Sequence, residues 1–163
     1  MEPVTTYYLE MTKITQLKIK PRPENLQINE VEIKNYRFNR FLYQLVGEPW
    51  HWTDKLSHTP EQWQAYAHAA NLRTWVAHSK GSIAGYFELQ KQPDNSVEIV
   101  YFGLAPDFLE QGFGGYLLSH ALEAAWSWGE VSRVWVHTCS LDHPYALANY
   151  QGRGMTIYRE EQE

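Results

Sequence analysis

The sequence predicts an α+β fold in which a central, mostly antiparallel sheet is flanked by helices. Three segments rich in β-forming residues, 74–77, 82–90 and 97–104, follow one another in the middle of the chain, and short turn signals such as Ser79-Lys80-Gly81 separate them. Strands joined by such short turns form an antiparallel meander. Apolar residues recur at helical spacing before and after this region, which indicates helices packed against the sheet.

The two helices before the meander have start and stop signals. Apolar residues recur at helical spacing from Phe38 to Val46, and Gly47 supplies a stop. A second helix begins at Thr59-Pro60-Glu61-Gln62, which combines an N-cap, a proline at the first helical position and a capping-box glutamine. Its apolar face would run from Trp63 to Ala70.

The third β-rich segment, residues 97–104, predicts the middle strand of the sheet. It is almost continuously apolar, as strands covered on both faces are. The chain after it predicts a helix from a glycine-rich segment to Gly129, a strand over 134–138, a short helix over 144–151 and a last strand over 155–158.

The amino-terminal region is less regular. Residues 5–11 and 16–20 alternate as short strands do, or they belong to a loosely ordered arm, and Pro21-Arg22-Pro23 interrupts the pattern. We therefore divide the chain into an N-terminal strand or arm, residues 1–26, and a single domain, residues 27–163. The length of 163 residues is that of one ordinary domain.

Composition and charge restrict the classes of function. The chain carries 14 basic and 19 acidic side chains, a formal net charge of −5, and no run of basic residues that would follow a phosphate backbone. Nucleic acid is therefore not an expected partner. The sequence has no apolar stretch of membrane-spanning length, and its one cysteine, Cys139, fits a reducing compartment. We expect a cytoplasmic protein without a membrane partner.

A glycine-rich segment, Gln111-Gly112-Phe113-Gly114-Gly115, lies between the central strand and the helix that follows. The first amides of a helix have no intrahelical acceptor, and glycines let an anion approach them closely. The segment lacks the Gly-Lys-Ser/Thr of a P-loop and the glycine spacing of a dinucleotide-binding fingerprint. It is either a phosphate-binding loop or an ordinary turn into a helix.

Several segments together resemble the acetyl-CoA-binding region of the GNAT (GCN5-related) N-acetyltransferases. They are Leu104-Ala105-Pro106, Gly112-Phe113-Gly114 and Leu117-Leu118. Near the carboxyl end, Ala146 to Met155 resembles the family's second motif, in which Ala-x-x-x-Tyr precedes Gly-Phe. The resemblance extends over residues 27–160. The sequence departs from the family at Leu109, which stands where Arg or Gln usually begins the glycine motif.

The resemblance implies the GNAT acyl-CoA N-acyltransferase fold and acetyl-CoA as the co-substrate, with no metal. A backbone amide near residues 102–104 would hold the developing oxyanion. His143 stands where many members have Asn. The residues expected to bind acetyl-CoA are Phe102, Gly103, Leu104, Gln111, Gly112, Phe113, Gly114, Gly115, His143 and Tyr150.

Acetyl transfer to an amine requires a base and an acid. An alkyl ammonium has a pKa of about 10.4, so a group must accept its proton before or during attack. Glu98 is the first candidate, because an apolar strand raises the pKa of a carboxyl group and because it resembles the glutamate of the histone-type members. Glu88 is the reserve. Alternatively, Glu98 lies at the exposed start of its strand or pairs with Arg73. Tyr150 matches the family tyrosine that protonates the departing thiolate; its alternative role is packing.

The loop over residues 48–54 joins the first two helices, which often cover the acceptor side in this family. Trp50 and Trp52 stand beside acidic residues there, an arrangement that suits a cationic amine with an apolar body. Together with Glu88 they are the predicted substrate-binding residues. The alternative for the two tryptophans is core packing.

Residues 136–143 admit two other interpretations. His137, Cys139, Asp142 and His143 are all potential zinc ligands, and Cys139 beside a histidine could carry an acetyl group covalently. A strand and the turn after it would separate the four side chains, and a single cysteine is usually a buried, inert thiol. We therefore expect neither a metal site nor a covalent route.

These observations predict an N-acetyltransferase that acts on a primary amine of an unidentified small molecule or protein, by direct attack in a ternary complex. Because Leu109 replaces the basic residue of the family, a non-catalytic acyl-CoA-binding module or sensor of the same fold is the alternative. A CoA-independent aromatic binding module, built on the tryptophan loop, is a third hypothesis. Family members often dimerise, so a homodimer is one option for the assembly.

Overall fold

A computed structural model describes residues 3–163, and within this range the chain forms one seven-stranded sheet with four α-helices. The strands are β1 (Thr5–Met11), β2 (Gln27–Glu30), β3 (Leu72–Ser79), β4 (Ser82–Lys91), β5 (Ser96–Leu104), β6 (Arg133–Cys139) and β7 (Thr156–Gln162). The helices are α1 (Tyr36–Gly47), α2 (Pro60–Ala67), α3 (Phe113–Trp126) and α4 (Ala146–Gly152).

The strand order across the sheet is β2-β3-β4-β5-β6-β1-β7. All neighbouring strands run antiparallel except β5 and β6, which are parallel. The predicted α+β fold with a mostly antiparallel sheet is confirmed, and β5 occupies the middle position predicted for it. No helix within residues 3–163 is long and apolar enough to cross a bilayer.

Helices cover both faces of the sheet. The larger core lies on one face, where buried residues of α3 such as Leu117 and Leu122 pack with Val97 and Ile99 of β5. The smaller core lies on the opposite face, where Leu42 of α1 is among the buried residues. Burial of this apolar surface stabilises the fold and fixes which side chains of β5 face each helical layer.

The helix boundaries follow the local signals closely. Thr59 caps α2, with its side chain accepting a hydrogen bond from the Gln62 amide, and the reciprocal capping box is present. The helix ends at Ala67, so the predicted apolar face to Ala70 is one turn too long. Asn35 caps α1 and Gly47 is its last residue.

Two predictions for the amino-terminal region meet different outcomes. Residues 5–11 form β1, which pairs with β6 on one side and β7 on the other. The strand interpretation of residues 16–20 is wrong, because their amides bond elsewhere: Lys18 N donates to the Arg153 carbonyl at 2.9 Å and Lys20 N donates to Ser119 Oγ at 2.9 Å. The short edge strand β2 has no counterpart in the sequence prediction.

Candidate functional site

A cleft opens in the sheet beside β5. The parallel pairing of β5 with β6 covers three residues and ends with Glu98 opposite Trp135. Both strands continue beyond this point, β5 to Leu104 and β6 to Cys139. The edge of β5 that faces away from β4 therefore has no strand partner there, and its backbone groups are available to a ligand.

A cavity of about 430 Å³ occupies this cleft. Its walls come from the end of β5, the start of α3, the loop before α4 with α4 itself, and the loop between α1 and α2. Ten of the fourteen site residues expected from the sequence line it: Trp50, Trp52, Phe102, Gly103, Leu104, Gly112, Gly114, Gly115, His143 and Tyr150. The other four, Glu88, Glu98, Gln111 and Phe113, lie outside this lining.

The start of α3 forms the glycine-rich end of the cavity. Gly112 is the N-cap and has φ +83°, a left-handed conformation that favours glycine. A Cβ at Gly112 would meet no atom within 4 Å, and one at Gly114 would make ordinary contacts with the nearest atom at 3.6 Å. Space therefore lies open beside Gly112 and Gly114, at the start of the helix. Such a surface fits the oxygens of a phosphate group.

Gln111 and Phe113 point away from the main cavity. The Gln111 side chain donates a hydrogen bond to the Asp107 carbonyl at 2.9 Å, and both residues line a smaller cavity on another side of the loop. The Phe113 ring is largely buried and stacks on Phe108. Neither side chain is therefore available to a ligand in the main cavity.

Tyr150 of α4 lines the cavity. It is 5% exposed, and its ring centroid lies 6.0 Å from that of Phe102. Burial, and then the negative charge of Asp142, raise the pKa of the Tyr150 hydroxyl. The hydroxyl therefore holds its proton at physiological pH, which a proton donor must do.

Two contacts join the loop between α1 and α2 to the loop before α4. The rings of Trp50 and His143 meet edge to face with centroids 5.1 Å apart, and Trp52 Nε1 donates to Asp142 Oδ1 at 3.2 Å. The Trp52 ring also packs against Tyr101, with centroids 5.2 Å apart. Trp52 thus lines the cavity and also takes the core-packing role that was the alternative for it.

Glu98 lies near the start of β5, on the sheet face opposite Val97 and Ile99. Its side chain is 13% exposed, it accepts a hydrogen bond from Gln92 Nε2 at 3.0 Å, and His137 Nε2 is 3.8 Å away. Burial raises the pKa of Glu98 to about 7, although the hydrogen bond opposes the shift. The suggested alternative partner, Arg73, instead pairs with Glu30 at 2.6 Å.

Glu88 is the more deeply buried carboxyl group, with 1% exposure. It accepts hydrogen bonds from the Tyr66 hydroxyl at 2.7 Å, Asn39 Nδ2 at 2.5 Å and Thr74 Oγ1 at 3.4 Å. Burial raises the pKa of Glu88, and the three hydrogen bonds oppose the shift. The carboxyl is thus held by α1, α2 and β3 on the face that carries the smaller core.

Sequence reasoning missed a group of polar side chains on this face. The hydroxyls of Tyr43 and Tyr101 each donate to the Asp54 carboxylate at 2.8 Å. Lys55 Nζ lies 4.0 Å from the centroid of the Tyr66 ring. Asp54 and Lys55 are adjacent in the sequence, but the tyrosines come from α1, α2 and β5, and no local spacing signal connects them.

Residues 136–143, which suggested a metal site or a covalent intermediate, form other contacts in the structure. Among residues 3–163, no group of three or more His, Cys, Asp or Glu side chains is arranged to hold a metal ion. Asp142 accepts hydrogen bonds from Thr138 Oγ1 and the Cys139 amide. Burial raises the pKa of the Cys139 thiol, which disfavours the thiolate that nucleophilic catalysis needs.

Comparison with solved structures finds the same fold in many proteins. A GCN5-related N-acetyltransferase from Sphaerobacter thermophilus aligns with a TM-score of 0.73 and 17% identity over 98% of this chain and 50% of its own. One from Kribbella flavida aligns with a TM-score of 0.68 and 15% identity over 96% of this chain and 55% of its own. The chain thus spans about half the length of these two proteins.

A shorter similar structure is an aminoglycoside acetyltransferase from an uncultured soil metagenomic sample, in complex with trehalose. It aligns with a TM-score of 0.63 and 19% identity, covering 79% of this chain and 87% of its own. No curated protein matches the sequence at a significant level. The model of the acetyltransferase (GNAT) family matches residues 39–155, which is well over half of the chain. The chain belongs to the GNAT acetyltransferase family.

Proposed function

We propose that the protein transfers an acetyl group from acetyl-CoA to a primary amine by direct attack within a ternary complex. One observation carries the proposal: the end of β5 that has no strand partner, the glycines at the start of α3 and Tyr150 all line a single cavity. Acetyl transfer needs three groups placed along the extended acetyl-CoA molecule: one that binds phosphate, a backbone amide that binds the carbonyl oxygen, and a side chain that donates a proton.

Acetyl-CoA supplies the activated acyl group as a thioester. The first amides of α3, at Gly112 to Gly115, would hold the diphosphate, and the open edge of β5 near Phe102 to Leu104 would donate a hydrogen bond to the thioester carbonyl. His143 and Tyr150 would line the path between them.

The remaining steps belong to this chain's own side chains. Glu98, or Glu88 in reserve, accepts a proton from the attacking amine, so that the nitrogen lone pair forms the new C–N bond. As the C–S bond breaks, Tyr150 donates its proton to the leaving sulfur, and the second proton that the nitrogen loses on becoming an amide restores the tyrosine. The raised pKa of Glu98, about 7, gives it a base strength suited to neutral pH.

The acceptor would approach from the face that carries α1 and α2. Trp50 and Trp52 line the cavity at this end. The Asp54 carboxylate with its two tyrosine donors lies on the same face, as do both candidate bases. Aromatic faces and carboxylates attract a cationic amine before it loses its proton.

Binding and turnover are tested with a matched pair of glycine variants. Gly112 and Gly81 have nearly the same φ, +83° and +85°, and neither has an atom within 4 Å of a built Cβ, but only Gly112 lines the cavity. Calorimetry should show acetyl-CoA binding by the wild type and Gly81→Glu, and none by Gly112→Glu, because the carboxylate occupies the phosphate site. Equal binding by all three would contradict the proposed site.

Thiol release with a panel of amines then separates enzyme from sensor. The panel includes sisomicin, because a structurally similar protein, 18% identical, is an aminoglycoside acetyltransferase in complex with that compound. If the protein binds acetyl-CoA but releases no CoA thiol with any amine of the panel, the result would favour the acyl-CoA sensor suggested by Leu109. If the protein does not bind acetyl-CoA at millimolar concentration, the acetyltransferase and the acyl-CoA sensor are both refuted. The CoA-independent aromatic binding module would then remain.

A further inference from the structure

Two basic side chains stand at the glycine-rich end of the cavity, and the sequence motifs identify neither. Lys20 and Arg153 both line this end. A Cβ built on Gly115 would lie 2.7 Å from Arg153 Nη1 and 2.9 Å from Lys20 Cγ, so both side chains cross the first turn of α3. Glu110, two residues before Gly112, also lines the cavity. The basic pair therefore outnumbers the acidic group at the position proposed for the diphosphate.

Among residues 3–163, Arg153 is the arginine whose side chain has no partner. Each of the other six contacts a carboxylate, a carbonyl or an aromatic ring: Arg22, Arg37, Arg40, Arg73, Arg133 and Arg159. Within residues 3–163 the Arg153 side chain makes no such contact, and its Nε is buried without a hydrogen-bond partner. Burial lowers the pKa of Arg153. A buried donor without an acceptor is costly, and an anionic ligand removes that cost.

The amino-terminal segment holds both side chains in place. Residues 12–22, which we call the strap, run from the end of β1 across α4 and α3. The strap bonds to the Arg153 carbonyl through Lys18 N and to Ser119 of α3 through Lys20 N, each at 2.9 Å. The Gln16 carbonyl lies so close to Gly154 that a Cβ there would be 2.0 Å away. The backbones that carry Lys20 and Arg153 are thus fixed to each other.

The positions of Lys20 and Arg153 matter because Leu109 replaces the Arg or Gln that usually begins the glycine motif of the family. Leu109 lines the cavity but offers no donor where the family usually has Arg or Gln. Lys20 and Arg153 bring positive charge to the same end from the strap and from the end of α4. Both lie outside the glycine loop, and Lys20 also lies outside the residues matched by the family model.

We propose, on the basis of the function proposed above, that Lys20 and Arg153 bind the diphosphate of CoA and replace the basic residue missing from the glycine loop. Arg153 presents a planar set of donors to the phosphate oxygens, and Lys20 contributes a single ammonium from the other side. The strap is therefore part of the co-substrate site.

Calorimetric titration of the full chain with CoA and with dephospho-CoA tests this proposal. The variants are Arg153→Met, Lys20→Met, the charge-preserving Arg153→Lys, and Lys18→Met as the control. Lys18 is exposed on the same strap and does not line the cavity. Melting curves without ligand check that each variant folds.

Arg153→Met should weaken CoA binding about tenfold, and Lys20→Met, at a more exposed position, about threefold. Arg153→Lys, which keeps the charge but lacks the planar set of donors, should recover part of the loss, and Lys18→Met should bind like the wild type. The same factors should apply to dephospho-CoA, which keeps the diphosphate and lacks the 3′-phosphate.

Wild-type affinity for CoA in both Met variants would overturn the proposal while leaving the proposed function intact. A loss seen with CoA but not with dephospho-CoA would assign the two side chains to the 3′-phosphate and also overturn it. Failure of the wild type to bind either compound would instead refute the proposed function and the role of Lys20 and Arg153 with it.

Discussion

Replacement of Glu98 by Gln should make the protein more stable at alkaline pH while removing its activity. Burial raises the pKa of this carboxyl from its ordinary value of 4.5 to about 7 in the folded protein. A group with a raised folded pKa contributes stability below its unfolded pKa, and that contribution disappears as the pH rises through the folded value. The wild type therefore loses stability between pH 4.5 and 7, because the unfolded chain releases the Glu98 proton in this range while the folded protein still retains it.

The size of this effect follows from the two pKa values. Each pKa unit corresponds to 1.36 kcal/mol, so the rise from 4.5 to about 7 is equivalent to about 3 kcal/mol of lost stability when Glu98 is fully ionised. Most of this loss falls between pH 5 and 8.5. Gln has nearly the same shape, keeps an oxygen for the Gln92 donor and never ionises.

Urea denaturation at pH 5 and pH 8.5 measures the effect. The free energy of unfolding of Glu98→Gln relative to the wild type should increase by about 2 to 3 kcal/mol between the two pH values. In the same variant, kcat/KM should fall about 100-fold or more, and the rise in rate with a midpoint near pH 7 should vanish. A stability difference that is the same at both pH values would refute the inferred pKa. An unchanged pH profile would reassign the base.

Three further substitutions test other parts of the structure. Tyr150→Phe should lower kcat about 100-fold in a thiol-release assay, while calorimetry finds the affinity for acetyl-CoA within about threefold of the wild type. In urea denaturation, Gly154→Ala should lose about 3 kcal/mol or more, because φ is +108° and the new Cβ would lie 2.0 Å from the Gln16 carbonyl oxygen, whereas Gly152→Ala, in open space, should stay within about 1 kcal/mol. Glu88→Leu should lose about 3 kcal/mol in the same assay, because its buried donors are left without an acceptor.

The elements that the sequence predicted correctly are those whose signals are local. The capping box at Thr59 specifies the start of α2 through contacts within one turn. The almost continuous apolar run of β5 predicted a middle strand, and β5 does lie fourth of the seven strands, although most of its residues are only half-buried. In contrast, β2 has only four residues, alternates between half-buried and exposed, and depends on β3 for its hydrogen bonds. A pairing of that kind leaves little trace in the local sequence.

The residues of the candidate site fall into the same two groups: some belong to local motifs, and others are brought together only by folding. The glycine loop and Tyr150 belong to short motifs that can be recognised in the sequence alone. Lys20 and Arg153 meet across Gly115 although 133 positions separate them in the sequence. The hydroxyls that bind Asp54 likewise come from two distant elements. Such groups are assembled by packing, and a single sequence carries no periodic signal for them.

A β-bulge in β5 accounts for the cleft beside this strand. Leu89 of β4 pairs with Ile99, but the preceding Glu88 pairs with Tyr101, so Val100 is an extra residue in β5. A bulge bends its strand and increases the local twist. This one lies two residues after Glu98, the last residue paired with β6.

The bulge also changes which side chains face each helical layer. Before it, Val97 and Ile99 pack in the larger core, and after it the even-numbered Phe102 packs there instead. Tyr101 consequently turns toward α1 and joins the smaller core. The extra residue therefore has two effects at once: β5 departs from its parallel partner, which leaves its edge open, and an aromatic side chain is delivered to the face that carries both candidate bases.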